Sequence, residues 1–148
     1  MELKNIKIKK VEFLKDFDTV YDINVKDVHH YILKNGVVTH NTMEIYSKTV
    51  LSGGCMNPDA KVKMADGSIK EIQNIIKGEF VETLQGAKEV LEKVQFDNKA
   101  LYEIVLANGS KYICSSDHRF LTSEDWTNEE NWKYVDELEE NDDILMVF

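Results

Sequence analysis

"ALYEIVLANGSKYICS", residues 100–115, holds two runs of β-branched and aromatic residues around a short polar break. Partial alternation of apolar and polar side chains is the period of a half-buried strand. The break, Ala107-Asn108-Gly109-Ser110, predicts a tight hairpin, because Asn and Gly tolerate the positive φ of a type I′ turn. The same strand period recurs outward in KNIKIKKVEFL (4–14), TVYDINV (19–25), HHYILKN (29–35), AKVKM (60–64), GEFVETL (78–84), KEVLEKVQF (88–96), HRFLT (118–122) and DILMVF (143–148). Asn35 and Gly36 offer a second turn of the same chemistry. Helix signals are few. Ser68 and Glu71 have capping-box spacing, predicting a short helix through IKEIQNII that Gly78 closes. WKYVDELEE (132–140) predicts another turn or two. The expectation is a compact all-β domain with one or two short helices.

The chain has 148 residues, 43% of them hydrophobic, enough to build one core without disulfide staples. No apolar run approaches the roughly 18 residues that span a bilayer, and the first ten residues lack the apolar region of a secretory signal. A soluble, cytoplasmic protein with no membrane partner is expected. The two cysteines, Cys55 and Cys114, spell neither a disulfide framework nor a four-ligand zinc site. A net charge of −9 argues against a nucleic-acid partner, which usually calls for a basic surface. That charge is uneven: residues 1–41 carry 7 Lys against 6 acids, while residues 55–148 carry 10 Lys or Arg against 20 acids.

Residues 42–54, TMEIYSKTVLSGG, fit no strand network and end in a flexible Ser-Gly-Gly. They stand as a linker or passenger, and each edge carries reactive chemistry. At the front are His40, Asn41 and Thr42. An Asn side-chain amide can attack its own following carbonyl, forming a succinimide and cutting the chain. A neighbouring imidazole can donate a proton to the scissile carbonyl or leaving amine, and Thr42 offers a hydroxyl nucleophile. At the back, Gly54 presents an unhindered carbonyl to Cys55, whose thiol can convert the amide to a thioester.

These segments resemble the inteins, whose β-rich fold is shared with the Hedgehog autoprocessing domain. CMNPDAKVKMADGSIKEI, from Cys55, looks like the intein amino-terminal motif. YICSSDHRFLT looks like the second motif, with Ser115 where Thr is usual and His118 as its histidine. VYDINVKDVHHYILKNGVVTHNT resembles the two carboxy-terminal motifs, with Asp22, His29, His40, Asn41 and Thr42. The resemblance implies a split intein in permuted order: a carboxy-terminal piece, 1–41; an extein-like passenger, 42–54; and an amino-terminal piece, 55–148. It implies a horseshoe-like fold and single-turnover protein splicing without a cofactor. Cys55 would take the acyl group from Gly54, assisted by His118 and Ser115. Thr42 would accept it by transesterification, with Asp22 as base or hydrogen-bond partner. Asn41 would cyclise with His40 and His29. In the permuted order the product is a circular passenger. The two intein pieces would stay associated in a monomer.

Other residues have plainer expectations. His30 is expected at the surface, Cys114 as a core thiol, and Trp126 and Trp132 as packing rather than a ligand cage. Asp117 either orients His118 or is a solvated turn carboxylate. His29, His30 and Cys55 have no metal-ligand spacing. The alternative to splicing is a slow, trapped or catalytically silent β domain serving as a scaffold or interaction module.

Overall fold

The computed structural model describes residues 2–40, 44–46, 49–51 and 55–147. Its frame is a pair of long antiparallel strands, β1 (Leu3–Val25) and β9 (Gly86–Leu106). A straight strand of 23 residues would run about 75 Å, roughly twice the diameter of a compact domain this size. β1 therefore has to bend. Register shifts interrupt its pairing between Ile8 and Lys10, Phe13 and Phe17, Asp18 and Val20, and Asn24 and Val25. Extra residues of this kind increase local twist and curl a sheet.

The remaining strands are β2 (His30–Ile32), β3 (Val38–His40), β4 (Glu44–Tyr46), β5 (Thr49–Leu51), β6 (Lys61–Lys63), β7 (Ile69–Glu71), β8 (Phe80–Thr83), β10 (Lys111–Ser115), β11 (Arg119–Leu121), β12 (Trp132–Tyr134) and β13 (Asp143–Val147). The larger sheet has the order β10-β9-β1-β13, with β8 also paired to β9. A second sheet has the order β12-β11-β3-β2, and β4-β5 and β6-β7 are two-stranded. The main core gathers Ile23, Tyr31, Met56, Ile104, Phe120 and Ile144 between these sheets. A smaller cluster of Ile32, Val38, Leu121, Trp132 and Leu145 sits under the second sheet. Every described strand pair is antiparallel, which makes the protein mostly β with several antiparallel sheets.

The β2–β3 hairpin turns through two successive positive φ angles, Asn35 at 74° and Gly36 at 95°. Gly36 is doubly constrained, because a Cβ there would overlap the Val147 carbonyl oxygen. The turn thus packs directly on β13, and Val37 bridges to Met146.

Local expectations fail where turn chemistry competes. The break at residues 107–110 is a hairpin, but only Gly109 has positive φ, at 88°. Asn108 Oδ1 accepts the Ser110 N–H at 3.0 Å, and the Gly109 N–H donates to the Leu106 carbonyl at 2.9 Å. That is a type I turn followed by a left-handed Gly, not type I′. The helix expected from Ser68 is instead strand β7 and a single 3₁₀ turn, Ile72–Asn74. Asp66 Oδ1 accepts both the backbone N–H and the hydroxyl of Ser68, at 2.9 and 2.6 Å. This Asx turn closes the β6–β7 hairpin and takes the hydroxyl that would have capped a helix. Residues 132–140 likewise supply β12 and one 3₁₀ turn, Val135–Glu137. The passenger was expected to lack strands, yet Glu44–Tyr46 and Thr49–Leu51 pair with each other. Among the described residues they pair with no other sheet. No helix is long and apolar enough to cross a membrane among the described residues.

Candidate functional site

Cys55 begins a short extended segment held between β1 and β10. Met56 exchanges two backbone hydrogen bonds with Tyr21, both 2.8 Å, and bridges Cys114 on its other side. The Ser115 N–H donates to the Cys55 carbonyl at 2.8 Å, and the Cys55 N–H donates to Ser115 Oγ at 2.9 Å. Ser115 in turn donates its hydroxyl hydrogen to Asp117 Oδ1 at 2.5 Å. A hydroxyl has one hydrogen to give, so the polarity is fixed: amide to hydroxyl to carboxylate. Lys99 stands 3.7 Å from the other Asp117 oxygen. Asp117 therefore orients Ser115, rather than lying idle in the turn. Cys55 is wholly buried, packed with Val20 and Leu101.

Asp22 on β1 is also wholly buried and accepts the Tyr31 hydroxyl at 2.9 Å. Burial, then the neighbouring Asp22, pushes the Tyr31 pKa well above the ordinary phenol value, and Cys55 and Cys114 add to the shift. The phenol is therefore a donor, and it ties Asp22 to the surroundings of both cysteines. Cys114 is buried in the main core, and its pKa is raised by that burial and then by Asp117. It is the inert core thiol that was expected.

The turn after β10 returns through a 3.1 Å bond from the His118 N–H to the Ser115 carbonyl. His118 is buried, and its Nε2 hydrogen-bonds Thr39 Oγ1. Thr39 precedes His40 on β3 and lies opposite Phe120 on β11. The turn from Ser115 to His118, which hydrogen-bonds Cys55, is thus joined through His118 and Thr39 to the strand that contains His40. His40 Nε2 lies 3.1 Å from Glu129 Oε2, and its Nδ1 lies 3.4 Å from Arg119 Nη2. The His29 ring stacks over it at 6.1 Å and 14°, while Trp132 meets it edge-on at 4.9 Å. Asn41, Thr42 and Gly54, which would carry the cyclisation, acyl transfer and first scissile carbonyl, lie outside the described residues.

His30 corrects its expectation, being wholly buried. Alternation along β2 puts it on the same face as Ile32, and it pairs with His40 across the hairpin. Its ring meets Trp126 at 4.9 Å and Trp132 at 6.0 Å. Nε2 accepts the Leu84 N–H at 3.0 Å, so the hydrogen belongs on Nδ1. Burial, then the charges of His40 and His29, lowers its pKa to about 4. His30 is a neutral structural histidine, and the two tryptophans pack around the histidine pair rather than forming a cage.

Four residues of this neighbourhood escaped the sequence: Tyr31, Thr39, Arg119 and Glu129. Thr39 and Arg119 were within reach of inference, being directly beside His40 and His118. Glu129 had no such signal, since it lies in an acidic stretch 89 residues from His40. Among the described residues, no three His, Cys, Asp or Glu side chains gather as a metal ion would need.

No family model matches the chain. It is 33% identical over 118 residues to the replication factor C small subunit of Methanocaldococcus jannaschii, an alignment covering 71% of this chain and 6% of that protein. It is 28% identical over 111 residues to DNA-directed RNA polymerase III subunit rpc2 of Dictyostelium discoideum, covering 68% of this chain and 7% of that protein. The chain therefore spans only a small fraction of either relative.

Proposed function

We propose that this protein is an autocatalytic splicing domain of the intein type, written in permuted order, which excises residues 42–54 as a ring. The observation that carries this is the convergence at Cys55. The nitrogen of its bond to Gly54 donates to Ser115, and the turn beginning at Ser115 brings His118 to the strand that ends at His40. Cys55 and His40, singled out by their chemistry, and Ser115 and His118, singled out by the resemblance, thus belong to one neighbourhood linked by hydrogen bonds and by the Thr39–His40 backbone. Also in favour, the likeness falls on 6–7% of two proteins named for different tasks, a replication factor and an RNA polymerase subunit. A segment common to such hosts is better explained by a task of its own than by either host's.

In this mechanism the Cys55 thiol attacks the Gly54 carbonyl, and the amide nitrogen leaves as an amine after gaining a proton, for which His118 is the donor. Thr42 displaces the thioester with help from Asp22. Asn41 cyclises and frees Thr42, with His40 and His29 assisting, and the ester on Thr42 rearranges to an amide. The fold is the horseshoe of the Hedgehog and intein class. Intact-mass analysis tests the reading: the chain should yield cyclo-(TMEIYSKTVLSGG), one water lighter than the linear peptide. Asn41→Ala should block release of the ring, and Cys55→Ala should abolish ring formation while permitting slow cleavage after Asn41. A chain whose mass never changes is a scaffold, and a linear 13-residue product alone marks a cleaving domain.

A further inference from the structure

Glu129 starts a one-turn 3₁₀ segment, Glu129–Asn131, fixed at its head by Asn128 Oδ1 accepting the Glu130 N–H at 3.0 Å. From there its carboxylate reaches His40 Nε2, at 3.1 Å for one oxygen and 3.4 Å for the other. It also pairs with Arg119 Nη1 at 3.2 Å. Arg119 uses its other terminal nitrogen on His40 Nδ1. A carboxylate only accepts and a guanidinium only donates, so both contacts require the same neutral ring: hydrogen on Nε2, lone pair on Nδ1. Two partners, one at each ring nitrogen, set one tautomer.

We propose that Glu129 is a positioning residue for His40, holding Nε2–H so that Nδ1 is the nitrogen that exchanges a proton at the peptide bond after Asn41. The proposal rests on the splicing reading and adds to it a carboxylate outside every motif. The step balances as follows. Nδ1 exchanges the Arg119 N–H for a proton that comes from solvent, making an imidazolium paired with Glu129. The Asn41 side-chain nitrogen attacks its own backbone carbonyl and loses a proton to solvent. The bond to Thr42 breaks, and the departing amine takes the Nδ1 proton. A carboxylate at the far nitrogen orients the ring and stabilises the imidazolium, as an orienting acid does in a hydrolase triad.

Of the other charged or titratable groups around His40, Arg119 is the one that acts against that cation. His29 stacks on its face and His30 faces it across the hairpin, while Arg119 donates to Nδ1 and so favours the neutral ring. His118 connects through Thr39, and Trp132 closes the edge without charge. Glu129 supplies the compensating negative charge. Its removal should lower the His40 pKa and move the falling limb of the cleavage profile to lower pH.

The test uses the full chain with Cys55→Ala, which leaves only cleavage after Asn41, followed by intact mass from about pH 5 to about pH 9. Adding Glu129→Gln should slow cleavage about tenfold near neutral pH and shift the falling limb down by about one unit. Glu129→Asp should recover part of the shift. Independently, histidine-labelled full chain with Asn41→Ala should show by NMR a lower His40 titration midpoint when Glu129→Gln is added. An unmoved midpoint overturns the proposal. So does a uniform loss of rate with an unshifted limb, the mark of a structural role only. If the Cys55→Ala chain never cleaves, the splicing reading fails, while the titration still decides whether Glu129 governs His40.

Discussion

A single oxygen, Ser115 Oγ, accepts the buried Cys55 N–H and donates to Asp117, so it holds that N–H between a hydroxyl and, through it, a carboxylate. Serine in place of the threonine usual in the resembling family loses a methyl that restricts χ1. Hydrogen bonds on both sides of Oγ now supply that restriction. Ser115→Ala should cost about 1–3 kcal/mol, since it strips a buried N–H of its acceptor, and should slow thiol-induced cleavage at Gly54 about 100-fold. Ser115→Thr should change that cleavage little, as followed by mass. His30 carries a pH signature. Its folded pKa, about 4, lies below the unfolded value near 6.5, so its contribution is fully present above about pH 6.5 and is lost as pH falls toward 4. Between pH 7 and pH 4.5 this single ring should account for about 2 kcal/mol of lost stability. Denaturant unfolding of the Asn41→Ala chain should show a drop that is smaller by that amount once His30→Gln, which keeps an acceptor for Leu84, is added.

The β2–β3 hairpin is the element on which most of the site depends, since it carries His30, Thr39 and His40 and places Tyr31 under Asp22. Its turn was legible because Asn35-Gly36 is a local signal, encoded in two adjacent residues. Gly36→Ala should destabilise the chain by about 2–4 kcal/mol, because it combines a disfavoured positive φ with overlap against Val147. Asn35→Gly, relieving only the mild cost of a positive φ on Asn, should leave the melting temperature within a few degrees of the parent. Equal losses from the two substitutions would mean that contact with β13 is not what fixes the turn. The β6–β7 element shows the opposite case. Ser68 and Glu71 carry a valid capping-box pattern, but Asp66 competes for the same hydroxyl at shorter range.

Residues 2–40 and 55–147 share one core. β1, from the first piece, pairs with β9 from Ile8 to Val25 and with β13 from Leu3 to Lys7, while β3 lies against β11. Ion pairs cross the boundary at Lys7–Asp143, 3.1 Å, and Lys88–Asp27, 3.8 Å. Both are partly exposed, and such pairs contribute about 0–1 kcal/mol each. Buried apolar side chains, at roughly 1.5–3 kcal/mol apiece, outweigh them. The two pieces should therefore co-elute after cleavage and stay together in about 0.5 M salt, where surface charges are heavily screened. Separation on size exclusion by salt alone would show that the acidic and basic halves, not the core, hold them.

The strand-rich class, the places of the two Gly-containing hairpin turns, and Cys55 and His40 as candidates were legible along the chain, because strand period, turn residues and nucleophile types are local properties, whereas Ser115, His118, Asp22 and His29 stood out only through the resemblance of their segments to intein motifs. Which side chains complete the neighbourhood is settled by packing. Glu129 reaches His40, Tyr31 donates to Asp22, Thr39 meets His118, and His30 is buried rather than exposed. Two of those partnerships, Glu129 with His40 and Thr39 with His118, are long-range pairings set by how β3 slots beside β11. Spacing along the chain carries no trace of them, since contact between residues 79 or 89 positions apart is fixed by sheet register and packing.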